Sequence, residues 1–490
     1  MKTLRDIRLQ IKRGSLLGFL QTPLGAITIM LIAVALGVVT IKGGIVTGLL
    51  LLVLMIGIPV VYGMVAYPLF GISCIISTAF LLFFILRLGV DFPMGTILDG
   101  MQALLILGFF IKQKNNPDWS MFKGPVATMI FIWIGYNLLE VINPWAESRL
   151  AWVYTVRTIA VITLMYFVFV YQINTIKAVR FVLTLWLALA CIAMLHAYKQ
   201  EYIGIAPAEL AGMESDPLSV SLLYIDGHWR KYAIFSDPVE FSYNMVITAV
   251  LCIALISGPL LRWKKIVLVC FTVLMLNAML FSGTRGAYVL VPATLILFAV
   301  LHFSRQIMIF SGIAAFIIAV MIYMPTGNAS LVRFQSAFRP SEDASYNVRK
   351  QNQKRIQPYI ISHPMGGGLG ATGMWGVRFA PYSFLANFPP DSGYMRVAVE
   401  TGWIGLFIFC WLMFIVLKSG IEKFYQIRNP ELRMYCLAMT LVLFALNIGN
   451  FPQEALVQYP NNLLFYLAIA IIQISYNLDK KAQRAEIISS

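Results

Sequence analysis

Apolar runs of roughly twenty residues recur along this chain from residue 24 to residue 476, broken by short polar stretches. A helix needs about 20 apolar residues to cross a bilayer. By that rule the pattern predicts an all-α fold with about 14 spanning helices. The first seven centre on residues 24–41, 45–66, 70–89, 96–111, 124–142, 151–171 and 179–198. The rest centre on 241–259, 266–282, 286–303, 306–324, 393–417, 434–449 and 461–476. Two longer polar stretches interrupt the series, residues 199–240 and residues 325–392.

Composition supports the pattern. Of 490 residues, 59% are hydrophobic and 12% charged, whereas soluble domains carry about 25% charged residues. A soluble protein this apolar could not cover its own surface, so the lipid bilayer is its solvent. The net charge is +15, but the basic residues are scattered between apolar runs and form no nucleic-acid-binding domain. Cys74, Cys191, Cys252, Cys270, Cys410 and Cys436 all fall inside apolar segments, with no spacing for a disulfide framework or a zinc site.

The placement of charge predicts orientation. Residues 1–23 carry Lys2, Arg5, Arg8, Lys12 and Arg13 on a short amphipathic pattern, which places them at the cytoplasmic surface. Alternate loops then receive Lys112 and Lys114, Lys177 and Arg180, Arg262 to Lys265, Arg305, and Lys418 to Arg433. The tail, residues 477–490, adds Lys480, Lys481 and Arg484. Basic residues gather in cytoplasmic loops, so both termini are expected inside. Residues 24–324 then hold the first eleven spans, 325–392 a large outer loop, and 393–476 the last three spans.

That outer loop reverses the rule. From residue 325 to 396 it carries eight basic residues against Glu342, Asp343 and Asp391. Upstream, Arg285 stands between Gly283 and Gly286 at a junction of two apolar runs, where hydrocarbon gives way to water. Arginine offers a planar fork suited to phosphate, and glycine lets a ligand approach. On the loop, Arg349, Lys350, Lys354 and Arg355 recur as two basic pairs, either a phosphate clamp or a solvated helix face. His363 then opens a run containing Gly366, Gly367, Gly368 and Gly370, which suits a turn passing close to a ligand. At the outer rim of the next span, Asp391 or Ser392 would cap the helix. Asp391 is also placed to accept a proton from a hydroxyl. Arg396 and Glu400 are spaced to pair on one helix face, and a structural pair between Glu140 and Arg157 is expected. No Asp-x-Asp pair stands in an outer loop to hold a divalent metal. Neither metal nor cofactor is expected, and arginines would neutralise phosphate instead.

In order and spacing these pieces resemble the bacterial O-antigen ligase and repeat-unit polymerase superfamily of membrane glycosyltransferases. The resemblance covers roughly residues 230–420. It rests on the turn Ser282-Gly283-Thr284-Arg285-Gly286-Ala287, on the arginine-bearing stretch from Arg349 to Gly370, and on Asp391-Ser392-Gly393-Tyr394 followed by Glu400-Thr401-Gly402. More weakly, Phe235-Ser236-Asp237-Pro238 resembles the family's phenylalanine-x-x-proline loop. Many of the family's ligases carry histidine where this chain has Asp391, and its polymerases vary more there.

The resemblance implies a GT-C-like protein of a bacterial inner membrane. It would transfer a glycan from undecaprenyl pyrophosphate to a hydroxyl acceptor on the outer face, with inversion. Arg285, Arg349, Lys354 and Arg355 would bind pyrophosphate, and Asp391 and Arg285 would be catalytic. Asp237, His363, Gly368, Gly370, Ser392 and Tyr394 would shape the acceptor side and the loop. A flippase and a chain-length regulator are the partners such a reaction implies. Repeat-unit polymerisation is the favoured reading. Ligation to a lipid core and protein O-glycosylation are alternatives, and a lipid or polysaccharide transporter is the rival from another class.

Overall fold

The computed structural model describes residues 57–87, 94–115, 117–214, 217–225, 227–327, 329–339 and 344–489, with isolated positions at Pro23, Ile27, Met30 and Met55. It divides into two compact units, Met1–Ala66 and Tyr67–Ser490. In the first, Gly57–Ala66 is an apolar helix. Those isolated positions aside, the predicted surface helix over 1–23, the span at 24–41 and the start of 45–66 lie outside the described residues.

The second unit is built from helices, with one small hairpin pairing Tyr224–Ile225 with His228–Trp229. Its first helices are α1 (Pro68–Arg87), α2 (Met94–Asn115), α3 (Pro125–Leu139), α4 (Arg149–Gln172) and α5 (Ile176–Tyr202). Two short helices follow, α6 (Pro207–Glu214) and α7 (Pro217–Leu223). Next come α8 (Pro238–Ile256), α9 (Arg262–Phe281), α10 (Arg285–Leu301) and α11 (Arg305–Tyr323). The long polar stretch 325–392 holds α12 (Ala329–Ser336), α13 (Ala344–Ser362) and α14 (Gly373–Phe379). The chain closes with α15 (Gly393–Gln426), α16 (Pro430–Gly449) and α17 (Asn461–Ser489). Every predicted span from 70–89 onward falls on one of these helices. Among the described residues ten helices are long and apolar enough to cross a membrane, while Arg285–Leu301 and Ile307–Tyr323 are shorter apolar helices.

Polar caps set the boundaries. Ser148, Thr175, Asp237, Ser304 and Asn429 each accept from first-turn amides, with Pro238 and Pro430 opening their helices. Burial then sorts helices that hydropathy cannot, because lipid tails are as apolar as leucine. In α8, 89% of the apolar window is buried, and in α16 and α17 78%, against 22% in α9. These three form the centre of the bundle, and polar bonds join them to their neighbours. Trp186 Nε1 donates to Thr248 Oγ1 at 3.1 Å, and Asn244 Nδ2 donates to Asn461 Oδ1 at 3.0 Å.

One expected pair is replaced. Arg157 bonds Asp99 of α2 at 3.0 Å, while Glu140 accepts from Asn143 Nδ2 at 2.8 Å. Arg157 lies on the face of α4 that meets α2, whereas Glu140 ends α3 beside the glycine run.

The stretch 325–392 folds as a cap in which Ile356, Leu385 and Phe388 pack against Val399 of α15. It is fastened where α15 breaks. Gly402 leaves the helical region with φ 68° and ψ −173°, which frees carbonyls on the preceding turn. Gly367 N–H donates to Val399 O and Gly368 N–H to Glu400 O, both at 2.9 Å, while Ile404 N–H reaches Pro364 O at 3.3 Å. A Cβ on Gly402 would stand 2.0 Å from Pro364 O, and one on Gly366 2.5 Å from Gly402 N. Only glycine fits this approach.

Gly402→Ala therefore destabilises the protein by at least about 1–3 kcal/mol. By contrast Gly135→Ala, where nothing lies within 4 Å of the added carbon, leaves stability equal or higher. Thermal unfolding in detergent checks both, and equal melting temperatures for Gly402→Ala and wild type would contradict the interlock.

Candidate active site

The turn from α9 into α10 is built to hold guanidinium groups. Gly283 adopts φ 59°, a region open to glycine, and its missing side chain makes room for Arg333. A Cβ there would lie 2.9 Å from Arg333 Nε. Arg333, on α12, donates from Nε to Gly283 O at 2.7 Å. From the other side Arg230 donates Nε to Ser282 O at 2.7 Å and Nη2 to Thr284 Oγ1 at 3.0 Å. Two arginines thus satisfy the carbonyls left over at the end of α9, and Arg285 opens the next helix beside them. Burial pushes Arg230 down to about 10, with Arg333 and Arg285 adding to the effect and Asp237 opposing it. Like charges gathered this way are costly unless an anion completes them.

Asp237 has a second duty. Its Oδ1 accepts from Val239 N at 2.8 Å and Glu240 N at 3.0 Å, so it caps α8. Thr284 Oγ1 donates to Pro238 O at 3.1 Å, lacing that loop to the arginine turn.

The cap meets the same turn through Arg333. Beneath Gly286 lies the Tyr243 hydroxyl, 2.9 Å from where a Cβ would sit, and it donates to Gly449 O at 3.1 Å. Arg349 of α13 is close enough for its charge to act on that hydroxyl. One turn further along α13, Asn352 Nδ2 donates to Asp391 Oδ2 at 2.9 Å. Arg349 and Asn352 share a helix face by their spacing. Asp391 is thus tied to α13 through Asn352, one turn from Arg349.

Of the two residues suited to cap α15, Ser392 takes the role. Its Oγ accepts from Met395 N at 3.5 Å and donates to Asn450 O at 3.2 Å. Asp391 stands just outside the helix with φ 37°, a left-handed conformation. Such strain costs of order 1–3 kcal/mol and gathers at functional sites.

The other sequence candidates sort differently. Arg355 stacks on Phe384 with its guanidinium carbon 5.3 Å from the ring centroid, and Lys354 is exposed. His363 lies flat on Tyr359, with centroids 4.0 Å apart, and its Nδ1 meets Tyr359 O at 2.9 Å, so it packs the end of α13. Tyr394 turns to α16, where its hydroxyl bonds the side chain of Asn447. The amides of Gly368 and Gly370 are committed to Glu400, the first to its carbonyl and the second to its Oε2 at 3.1 Å. The glycine run is thereby a fastener to α15.

Glu400 belongs to a buried cluster. Its Oε1 accepts from Arg396 Nε at 3.2 Å and from the hydroxyl of Thr372. Arg396 Nη1 continues to Glu454 Oε2 at 3.0 Å. Glu454, on the loop between α16 and α17, is pushed up by burial and by the charges of Glu400 and Asp391, against the pull of Arg396. Sequence reading assigned no role to Arg230, Asn352 or Glu454. The signal for the last was the polar string Asn447, Asn450, Gln453 and Glu454 between two apolar runs.

Residues 270–410 match the family model described as O-antigen ligase. No curated protein matches the chain. The matched stretch runs from α9 into α15 and takes in the arginine turn, Arg333, Arg349, the glycine run, Asp391 and Glu400. The ten long apolar helices fit a multi-pass membrane protein. Residues 270–410 are similar to the O-antigen ligase family.

The raised Glu454 makes a pH prediction. Its neutral form is favoured in the fold, so its contribution is complete below the ordinary carboxylate value of about 4.3. That contribution is lost as pH rises through the raised value. Melting of Glu454→Gln and wild type between pH 4.5 and 7.5 tests this. The variant gains on the wild type as pH rises, and a gap that moves the other way would refute the assignment.

Proposed function

We propose that this protein transfers a glycan from undecaprenyl pyrophosphate to a hydroxyl acceptor at the outer face of a bacterial inner membrane, polymerising polysaccharide repeat units. The observation that carries the reading is the gathering of Arg230, Arg333 and Arg285 at one turn, and the reading assigns Arg349 and Asp391, linked through Asn352 of α13, to the same reaction. In the reaction the acceptor oxygen attacks the anomeric carbon and its proton passes to Asp391. The bond from that carbon to the pyrophosphate oxygen breaks, and lipid pyrophosphate leaves. One displacement inverts the anomeric centre.

Charge builds on the leaving pyrophosphate, and preorganised donors near a low-dielectric boundary stabilise it most where it develops. Arg285 and Arg349 take that role without a metal. Arg230 and Arg333 hold the turn and add positive field. Arg355 and Lys354, further out on the cap, meet the glycan or the approaching donor. Both termini lie in the cytoplasm on this reading, which puts the arginine turn and the cap outside.

The test is transfer by purified protein from a lipid-pyrophosphate oligosaccharide. Arg285→Ala lowers the rate roughly 10²–10³-fold, and Lys418→Ala, in an exposed pair with Glu422, stays near wild type. Unimpaired transfer by Arg285→Ala would remove the arginine turn from the mechanism.

A further inference from the structure

Arg87, the last residue of α1, directs its guanidinium at the loop that carries Arg230. Nε turns back to Phe83 O of its own helix at 3.2 Å, Nη1 donates to Ala233 O at 3.0 Å, and Nη2 donates to Phe235 O. The group also lies over the ring of Tyr232, 4.4 Å from its centroid, and pairs with Glu209 of α6 at 3.4 Å. Glu209 closes a ring of bonds. Its Oε2 accepts from Gln200 Nε2 of α5 at 3.4 Å, and Gln200 Oε1 accepts from Ala233 N–H at 2.9 Å. Both backbone polar groups of Ala233 are therefore held by side chains from α1 and α5. Ala233 and Phe235 are fully buried, and backbone groups buried without partners are costly. Ala233 is also left-handed, with φ 50°, a conformation that alanine keeps only where its surroundings impose it.

The other end of this loop is the arginine turn. Lys231 N–H donates to Phe281 O at 3.0 Å, and one residue earlier Arg230 reaches Ser282 O and Thr284 Oγ1. Between the two ends the chain reverses in a turn closed by Phe235 N–H on Tyr232 O at 3.0 Å. Phe235 itself packs on Phe80 of α1, with centroids 5.8 Å apart.

We infer that Arg87, with Gln200 beside it, is a positioning residue for the proposed transfer reaction. By clamping Ala233 and Phe235 it fixes the left-handed turn that delivers Arg230 to the carbonyls next to Arg285. The inference rests on the proposed role of the arginine turn and adds to it a residue that touches none of the reacting groups. A cap for the end of α1 would need only the bond to Phe83 O. The remaining bonds leave that helix and converge on one loop. They also call for arginine in particular, because its planar fork spans two carbonyls at once, whereas a lysine ammonium is a point charge. Lysine would keep the pair with Glu209 and lose the two-carbonyl grip.

The experiment measures transfer from a lipid-pyrophosphate oligosaccharide by full-length wild type, Arg87→Lys, Arg230→Ala and the double variant. Amide hydrogen exchange is read by mass spectrometry on the same samples. Gln200→Met loosens the clamp from α5 at similar volume and is the second route, with melting curves identifying the folded variants. Arg87→Lys lowers the rate roughly 10- to 10²-fold, the scale of loss that a misplacement of ~1 Å can cause. It also speeds exchange both in residues 229–235 and across the turn at residues 282–287. Because Arg87 acts through Arg230, the double variant is no slower than Arg230→Ala alone, whereas independent contributions would multiply. Multiplying losses, or faster exchange confined to residues 229–235, would overturn the inference by reducing Arg87 to a local fastener. A slow Arg230→Ala beside full-rate, folded Arg87→Lys and Gln200→Met overturns it too and leaves the arginine turn in place. Full-rate transfer by Arg230→Ala removes the turn's role, and the inference with it.

Discussion

Backbone carbonyls buried near a membrane must find donors inside the protein, because no water is at hand. The break at Gly402 creates such carbonyls on Val399 and Glu400, and the glycine run answers them with the amides of Gly367 and Gly368. Much follows from this one splice. It ties the cap to α15, turns Glu400 towards Arg396 and Thr372, and leads the chain into α14. The first part of α15 also becomes a wall with two sides. Asp391 at its start answers to Asn352 on the cap, and Arg396 and Glu400 line a cavity behind. A loop rich in glycine is commonly thought of as a phosphate cradle or a hinge. Here its amides are bonded to the protein itself.

Charge is handled by segregation. Arg230 and Arg333 crowd beside Arg285 at considerable cost, which hydrogen bonds to Ser282, Gly283 and Thr284 partly offset. At the start of α15, Arg396 bonds both Glu400 and Glu454, and burial of Glu454 favours its neutral form.

The long apolar helices were legible because bilayer thickness dictates apolar length, and that length survives whatever the helices pack against. Which helices are central was not, since α8 and α9 are equally apolar by hydropathy and differ only in burial. At the candidate site, Arg285, Arg349 and Asp391 stood out in the sequence because their residue types suit phosphate and proton chemistry. Whether Asp391 or Ser392 caps α15 could not, as both are good caps and backbone geometry decides. Arg230 and Glu454 escaped because their partners, Ser282 and Arg396, lie 52 and 58 residues away in sequence. The expected Glu140–Arg157 pair failed for the same reason, since helix contacts chose Asp99.

The central claim is that Asp391, held by Asn352 and released from capping by Ser392, takes the acceptor proton beside the arginine turn. The most direct measurement incubates purified wild type and Asp391→Asn with a lipid-pyrophosphate oligosaccharide, then follows both products on a gel and donor binding. A ladder of lengthening glycans is expected from the wild type. Asp391→Asn makes no ladder, yet melts like wild type and still binds donor. A full ladder from Asp391→Asn, or no transfer by the wild type to any acceptor, would contradict the claim.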